Sequence, residues 1–292
     1  LSKSLPYIFV LIAAVLWGTV GTTQTYLSDG IQPITIAMMR SLIGGGVLLI
    51  IAIVMKSISF KNWSWKQTFF AALAMALFQP LFFMSVNLTG VAVGTVVTIG
   101  SSPIFAGIIE WMYLKRQPGR TWAIATVLSI VGCIMLFMSS GETVIVPAGI
   151  ACALLAGIAF ATYTHVSKFL LEKEAALPAV AMTFTICGLI LLPISLFLGV
   201  SWITMPANWL PLLVMGVFGT SIAYLLFLTG LKKIASSAAV TLSLGEPLTA
   251  ALLGVLLIGE HLSVVAWCGV ALLLGGILVV TFKRNKQINM IS

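Results

Sequence analysis

The chain has 292 residues, of which 60% are hydrophobic and only 8% charged, and it carries a net charge of +8. A soluble domain has about 25% charged residues, so this chain lacks the polar surface that water on all sides would require, and a bilayer is its natural solvent. An enzyme with an extramembrane catalytic module is excluded, and the four cysteines, each alone in a different apolar run, lack the close spacing of a metal or redox site.

Ten stretches approach or exceed the ~20 apolar residues that a spanning helix needs at ~1.5 Å rise per residue. The first, residues 6–26, follows Lys3; its apolar run exceeds the ~7–15 residues of a signal-peptide core, so it reads as an uncleaved span. It sets Trp17, Gly21 and Gln24 on one face. The second, residues 33–55, holds Arg40 seven residues in, ~10 Å below its boundary. The third, residues 69–88, aligns Gln79, Phe83 and Asn87 beside Pro80. The fourth, residues 91–114, aligns Thr95, Thr98 and Ser102 just before Pro103, and ends near Glu110, read as an interfacial carboxylate close to Lys115. The fifth, residues 121–138, is the shortest. The sixth, residues 147–168, contains Tyr163 and His165; the seventh covers residues 179–199, and the eighth, residues 209–230, contains Tyr224. The ninth, residues 236–258, contains Thr241, Glu246 and Pro247, and the tenth covers residues 263–282.

Charge placement orients these spans. With the N-terminus in the cytoplasm, fourteen of the fifteen Lys and Arg residues fall at cytoplasmic ends, while Asp29, Glu142 and Glu260 fall outside. Basic loops stay on the cytoplasmic side during insertion, so both termini are expected inside. The basic net charge is thus a topology signal, and no nucleic-acid partner is implied.

The chain also resembles itself. Residues 81–102 can be laid over residues 225–246 at an offset of 144, with Phe83 on Phe227, Pro103 on Pro247 and Gly132 on Gly276. At an offset of 145, Pro33 meets Pro178. The expected fold is therefore all-α and membrane-integral, with ten helices in two inverted five-helix repeats, residues 1–140 and 145–292. Such repeats place a transporter's site near the midplane between them.

Polar residues inside spans are functional candidates. Two readings stand for Arg40, a structural anchor of helix ends or a cavity residue. Two also stand for Glu246, a helix brace at Pro247 or a proton-exchanging carboxyl. His165 is a second, lesser candidate for proton coupling. Trp17, Gln24, Arg40, Gln79, Phe83, Thr98, Tyr163, Tyr224 and Thr241 are candidates for a cavity with aromatic walls, suited to a small amphipathic solute. Pro80, Pro103 and Pro247 are candidate hinges, because proline breaks the helical ladder inside a span. No HExxH, no GxSxG-like dyad and no paired intramembrane Asp is present, so catalysis, cofactors and metal are not expected.

Trp17-Gly18, Arg40, and above all residues 244–262, LGEPLTAALLGVLLIGEHL, with the glycines between Gly269 and Gly276 after them, resemble the EamA family of the drug/metabolite transporter superfamily. The resemblance covers essentially the whole chain. It implies alternating access around a central cavity, secondary transport, and export of amino acids or other metabolites across a bacterial inner membrane. A multidrug or organic-cation/proton antiporter and a facilitative uniporter are the alternatives within the superfamily. The first half departs from the pattern: Lys115-Arg116 stands where the second half has Gly259-Glu260, and Ser102 rather than a glutamate precedes Pro103. A carboxylate role therefore rests on Glu246 alone. The expected partners are a small-molecule substrate, the lipid bilayer and a coupling proton, with monomer and homodimer both open.

Overall fold

In a bilayer each backbone N–H and C=O must be paired within the protein, and a continuous helix does this without a partner strand. The computed structural model describes residues 4–24, 26–28, 30–115, 117–137, 146–258 and 262–288, and no strand occurs among them. Lys3, Asp29, Arg116, Glu142, Gly259, Glu260 and His261 lie outside the described residues.

Among the described residues, ten helices cross the bundle: α1 (Leu5–Gln24), α2 (Pro33–Val54), α3 (Trp65–Thr89), α4 (Val93–Tyr113), α5 (Arg120–Phe137), α6 (Pro147–Lys173), α7 (Ala176–Leu198), α8 (Pro206–Leu231), α9 (Ser236–Leu256) and α10 (Val264–Ile288). Nine contain a stretch long and apolar enough to cross a membrane, and α5 is the short one among the described residues, as its sequence suggested. The chain is a multi-pass membrane protein.

Local chemistry sets the helix ends. Pro33 and Pro147 open α2 and α6, where a missing N–H leaves no bond unmade. Between α3 and α4 the backbone keeps helical hydrogen bonding from Trp65 to Leu114, yet the chain folds back sharply. A Cβ on Gly94 would lie only 2.8 Å from the Ser85 hydroxyl. In a straight helix those residues would stand ~13 Å apart. Hydroxyls within the helices donate to their own helix: Thr89 to Ser85 O at 2.8 Å, Ser102 to Thr98 O at 2.7 Å and Thr281 to Ile277 O at 2.8 Å.

The helices pack in antiparallel and crossing pairs: α2 along α7, α5 along α10, the α3–α4 hairpin along α6, and α1 between α8 and α9. Between lipid-like surfaces there is little hydrophobic drive to associate, so close van der Waals approach carries the packing. Gly132 and Gly269 show it. A Cβ on Gly132 would meet Leu273 N at 2.6 Å and Gly269 O at 2.7 Å, so α5 and α10 touch backbone to backbone.

Hydrogen bonds tie both ends of the bundle. At the end rich in Lys and Arg, hereafter the basic end, Ser64 N donates to Glu174 Oε1 at 3.0 Å and Ser237 N donates to Glu110 Oε2 at 3.0 Å. At the opposite end, Ser28 N and its hydroxyl both meet Asn208 Oδ1 at 3.0 Å, and Trp202 Nε1 donates to Thr35 Oγ1 at 3.1 Å.

Gly132→Ala should cost about 1–3 kcal/mol, because its methyl meets backbone that no side-chain rotation can clear. Gly275, with open space at its Cβ position, is the control; alanine there should gain about 0.5–1 kcal/mol of helix stability. Thermal melting of the two variants in detergent, shifting in opposite directions, checks the α5–α10 contact.

Candidate functional site

Between α1, α2, α3, α4, α6, α8 and α9 lies a cavity of about 750 Å³. Its lining runs from an aromatic floor near the bundle centre to Gln24, Pro33, Asn87 and Thr95, all toward the end opposite the basic one. The floor is an interlocked set of rings. Trp17 lies 4.7 Å from Tyr224, 5.2 Å from Phe227 and 6.2 Å from Phe160, and Phe184 lies 4.3 Å from Tyr224. Tyr163 and Phe227 beneath are fully buried, so the rings separate the cavity from the basic end.

Two backbone irregularities aim side chains into this space. In α9 the helix is interrupted after Leu242 and resumes at Gly245. There the ladder tightens to three-residue steps, with Leu244 N donating to Thr241 O at 3.2 Å and Glu246 N to Ser243 O at 2.9 Å. Pro247 has no N–H to offer the turn before it, which suits a break at this point. Ser243, Glu246, Pro247 and Ala250 all border the cavity. In α8 a π-helical stretch, Val217–Ile222, precedes Tyr224, and its Ser221 hydroxyl donates to Gly44 O on α2 at 2.8 Å.

Gly18 lets α1 press against the irregular part of α9. A Cβ there would sit 2.6 Å from Thr249 Cβ and 2.8 Å from Glu246 O. The Trp17-Gly18 pair thus serves both sides of one helix turn, the ring in the floor and the bare backbone against Glu246.

Several polar atoms of the lining are buried with no protein partner: Trp17 Nε1, Arg40 Nε, Gln79 Oε1 and Thr98 Oγ1. Buried polar atoms without partners are costly, and these four border one cavity. Gln79 keeps one bond, Nε2 to Ser41 Oγ at 3.4 Å, which leaves its carbonyl oxygen to the cavity. Donors (Trp17, Arg40) and acceptors (Gln79, Glu246) share this cavity with the apolar faces of Phe78, Phe82, Phe83 and Phe160. The arrangement can hold a small amphipathic molecule by both its polar and its apolar parts.

Of the residues singled out from sequence, Trp17, Gln24, Arg40, Gln79, Phe83, Thr98, Tyr224, Glu246 and Pro247 border the cavity. Tyr163 lies below the floor and wholly buried. Thr241 is bonded to Thr126 at 3.1 Å and to Ser237 O at 2.9 Å, away from the lining. His165 sits farther along α6, its Nδ1 2.9 Å from Ala161 O. Pro80 and Pro103 each follow a lining residue, Gln79 and Ser102, without lining the cavity themselves. Phe78, Phe82, Phe160 and Ser243 border the cavity and were not singled out. Phe78 and Phe82, one helical turn apart and stacked at 5.9 Å, carried a readable spacing signal.

The EamA-like transporter family matches this chain twice, over residues 4–138 and 147–282. The chain is 45% identical to the uncharacterized transporter YwfM of Bacillus subtilis (strain 168), over 96% of its own length and 95% of that protein. It is 27% identical to the uncharacterized inner membrane transporter YicL of Salmonella typhimurium, with 95% of each chain covered. It is 28% identical to protein PecM of Dickeya dadantii, over 96% of this chain and 95% of that one. A solved crystal structure shares the fold, with a TM-score of 0.85 at 16% identity, across 98% of this chain and 99% of the other. The chain belongs to the EamA-like transporter family, and transport across a membrane is its function class.

Trp17→Phe keeps an aromatic ring in the floor but removes one ring of the indole together with an N–H that has no protein partner. The empty protein should lose about 1–3 kcal/mol of stability, while affinity for compounds found by a thermal-shift metabolite screen should fall about five- to tenfold. An unchanged affinity would make Trp17 a packing residue only.

Proposed function

We propose that this EamA-family protein is a secondary active exporter of small organic metabolites such as amino acids, working by alternating access around the central cavity. The observation that carries the reading is the cavity itself, with Arg40 and Glu246 in one aromatic-walled space of metabolite size. A solute with an acidic and a basic group finds a counter-charge for each. Arg40 disfavours a purely cationic solute, which sets this reading above the multidrug or organic-cation/proton antiporter. A facilitative uniporter would use the same cavity without coupling.

The proposed machine has two inverted halves, residues 1–140 and 145–292. The double family match, near the same 144-residue offset that pairs Pro103 with Pro247, supports this division. Placed in a bacterial inner membrane with the basic end in the cytoplasm, as basic loops are retained there, the protein stands with its cavity open to the outside. The floor of Trp17, Phe160, Tyr224 and Phe227 closes the inner path. A proton on Glu246 is the proposed coupling ion. A neutral carboxyl in an apolar bundle is far cheaper than a charged one, so its protonation changes the cost of rearranging the helices around it. Pro80, Pro103 and Pro247 are the proposed hinges.

The test is flux in proteoliposomes, with compounds chosen by the thermal-shift screen. Wild-type protein should move hits faster when a pH gradient is imposed. Glu246→Gln should weaken binding of solutes that carry a basic group and lose the response of flux to the gradient. A full response in that variant would remove Glu246 from coupling, and counterflow with no gradient response in the wild type would favour the uniporter.

A further inference from the structure

Two carboxylates tie the halves of the chain together at the basic end, and both accept from backbone N–H groups at helix starts. Glu174 accepts from Ser64, beside the start of α3, and Glu110 accepts from Ser237, at the start of α9, each at 3.0 Å. Lys168 Nζ donates to Leu231 O at 2.5 Å and Ile234 O at 2.6 Å, at the end of α8. A carboxylate on the first amides and an ammonium on the last carbonyls each satisfy backbone groups that the helix leaves open. Glu110 and Lys168 thus hold the α8–α9 turn from its two sides.

The 144-residue offset shows which of these ties recurs at the other end. Ser64 corresponds to Asn208, and Glu174 falls on the loop before α2, where Ser28 bonds Asn208 at 3.0 Å. A tie of that kind therefore holds at the closed end and the open end alike. The same offset carries Glu110 to Gly254, Ser237 to Val93 and Lys168 to Gln24. Gly254 has no side chain to accept such a bond, and Gln24 lines the open cavity. Among the described residues, the tie around the α8–α9 turn has no counterpart there.

We propose that Glu110 and Lys168 are gating residues: their bonds to the α8–α9 turn hold the basic end shut and bias the empty carrier toward the state with the opposite end open. Opening the basic end breaks the Glu110–Ser237 bond and admits water along α6. The hydroxyls of Tyr163 and Ser167, one turn apart on that helix, are buried below the aromatic floor and face each other without a well-formed hydrogen bond. Water entering from the basic end would satisfy both, which marks α6 as a wall of the inner path. Glu174 and Ser64, by contrast, belong to the scaffold that stays joined throughout the cycle. The proposal rests on the alternating-access reading, yet its test needs no transport.

Two reporter cysteines, Ser167→Cys on the inner path and Asn87→Cys at the cavity mouth, are introduced singly in a full-length chain with Cys133, Cys152, Cys187 and Cys268 replaced by alanine. Labelling by a charged maleimide is timed on protein in nanodiscs, where both faces are accessible. Glu110→Ala and Lys168→Met should each speed labelling at 167 about tenfold. Combined, they should also slow labelling at 87 about threefold. Glu110→Gln, which keeps a carbonyl acceptor, should fall between. Glu174→Ala should lower the melting temperature and leave both rates unchanged. Faster labelling at 167 with no slowing at 87 in the combined variant would mean local loosening and would overturn the proposal. So would unchanged rates, or an equal shift from Glu174→Ala. Should Glu110→Ala fail to fold, Lys168→Met and Glu110→Gln make the same comparison. A reciprocal shift in a protein that shows no flux would sink the transport mechanism and leave the gate standing.

Discussion

A guanidinium and a carboxyl inside an apolar bundle must each find a polar surrounding, and the central cavity of this protein is where Arg40 and Glu246 find it. The neighbouring irregularities serve that requirement. The break in α9 frees the turn that carries Glu246, and Gly18 brings α1 against it. The aromatic floor then keeps the polar space from running through to the basic end. Elsewhere the helices meet through glycines and aliphatic side chains, and hydroxyls turn back onto their own carbonyls.

The membrane spans were legible because their physics is local. An apolar run of sufficient length must become a helix in lipid, and the ten helices fall where the apolar runs do. Arg40 and Glu246 were legible for the converse reason, since a charge within such a run must have an unusual setting. Distant partners were not. Glu110 reads in sequence as an interfacial carboxylate near Lys115, whereas it accepts a hydrogen bond from an amide 127 positions away. Thr241 looks like a cavity residue until Thr126, from another helix, is seen to occupy its hydroxyl.

The aromatic residues sort themselves by a rule that a single helix cannot state. Tyr163 and Phe160 are one turn apart on α6, yet Phe160 borders the cavity and Tyr163 lies beneath it. What separates them is depth relative to Trp17, which sits on a different helix. Periodicity gives a face and not a level, so the floor could be named only once α1, α6 and α8 were brought together. Phe78 and Phe82 are readable as a helical pair, but not as part of the lining. Beside Gln79, Phe83 and Asn87 they widen the lining face of α3 beyond a single stripe, so two neighbouring stripes of one helix meet the same cavity.

The proposed two-fold relation gives the ties at the bundle ends a meaning that neither has alone. A carrier with interchangeable halves would have no resting preference if all its end contacts had counterparts. The Ser64–Glu174 and Ser28–Asn208 contacts occupy corresponding places under that relation, with donor and acceptor sides exchanged. Any preference must come from contacts that break the symmetry, and the charged residues around the α8–α9 turn are of that kind. The same break appears in the cavity, where Glu246 before Pro247 corresponds to Ser102 before Pro103. Divergence between the halves thus falls on residues that would set direction and coupling, while Pro103 and Pro247 stay alike. In a duplicated transporter, positions where the two copies differ in charge are where an asymmetric cycle has to be encoded.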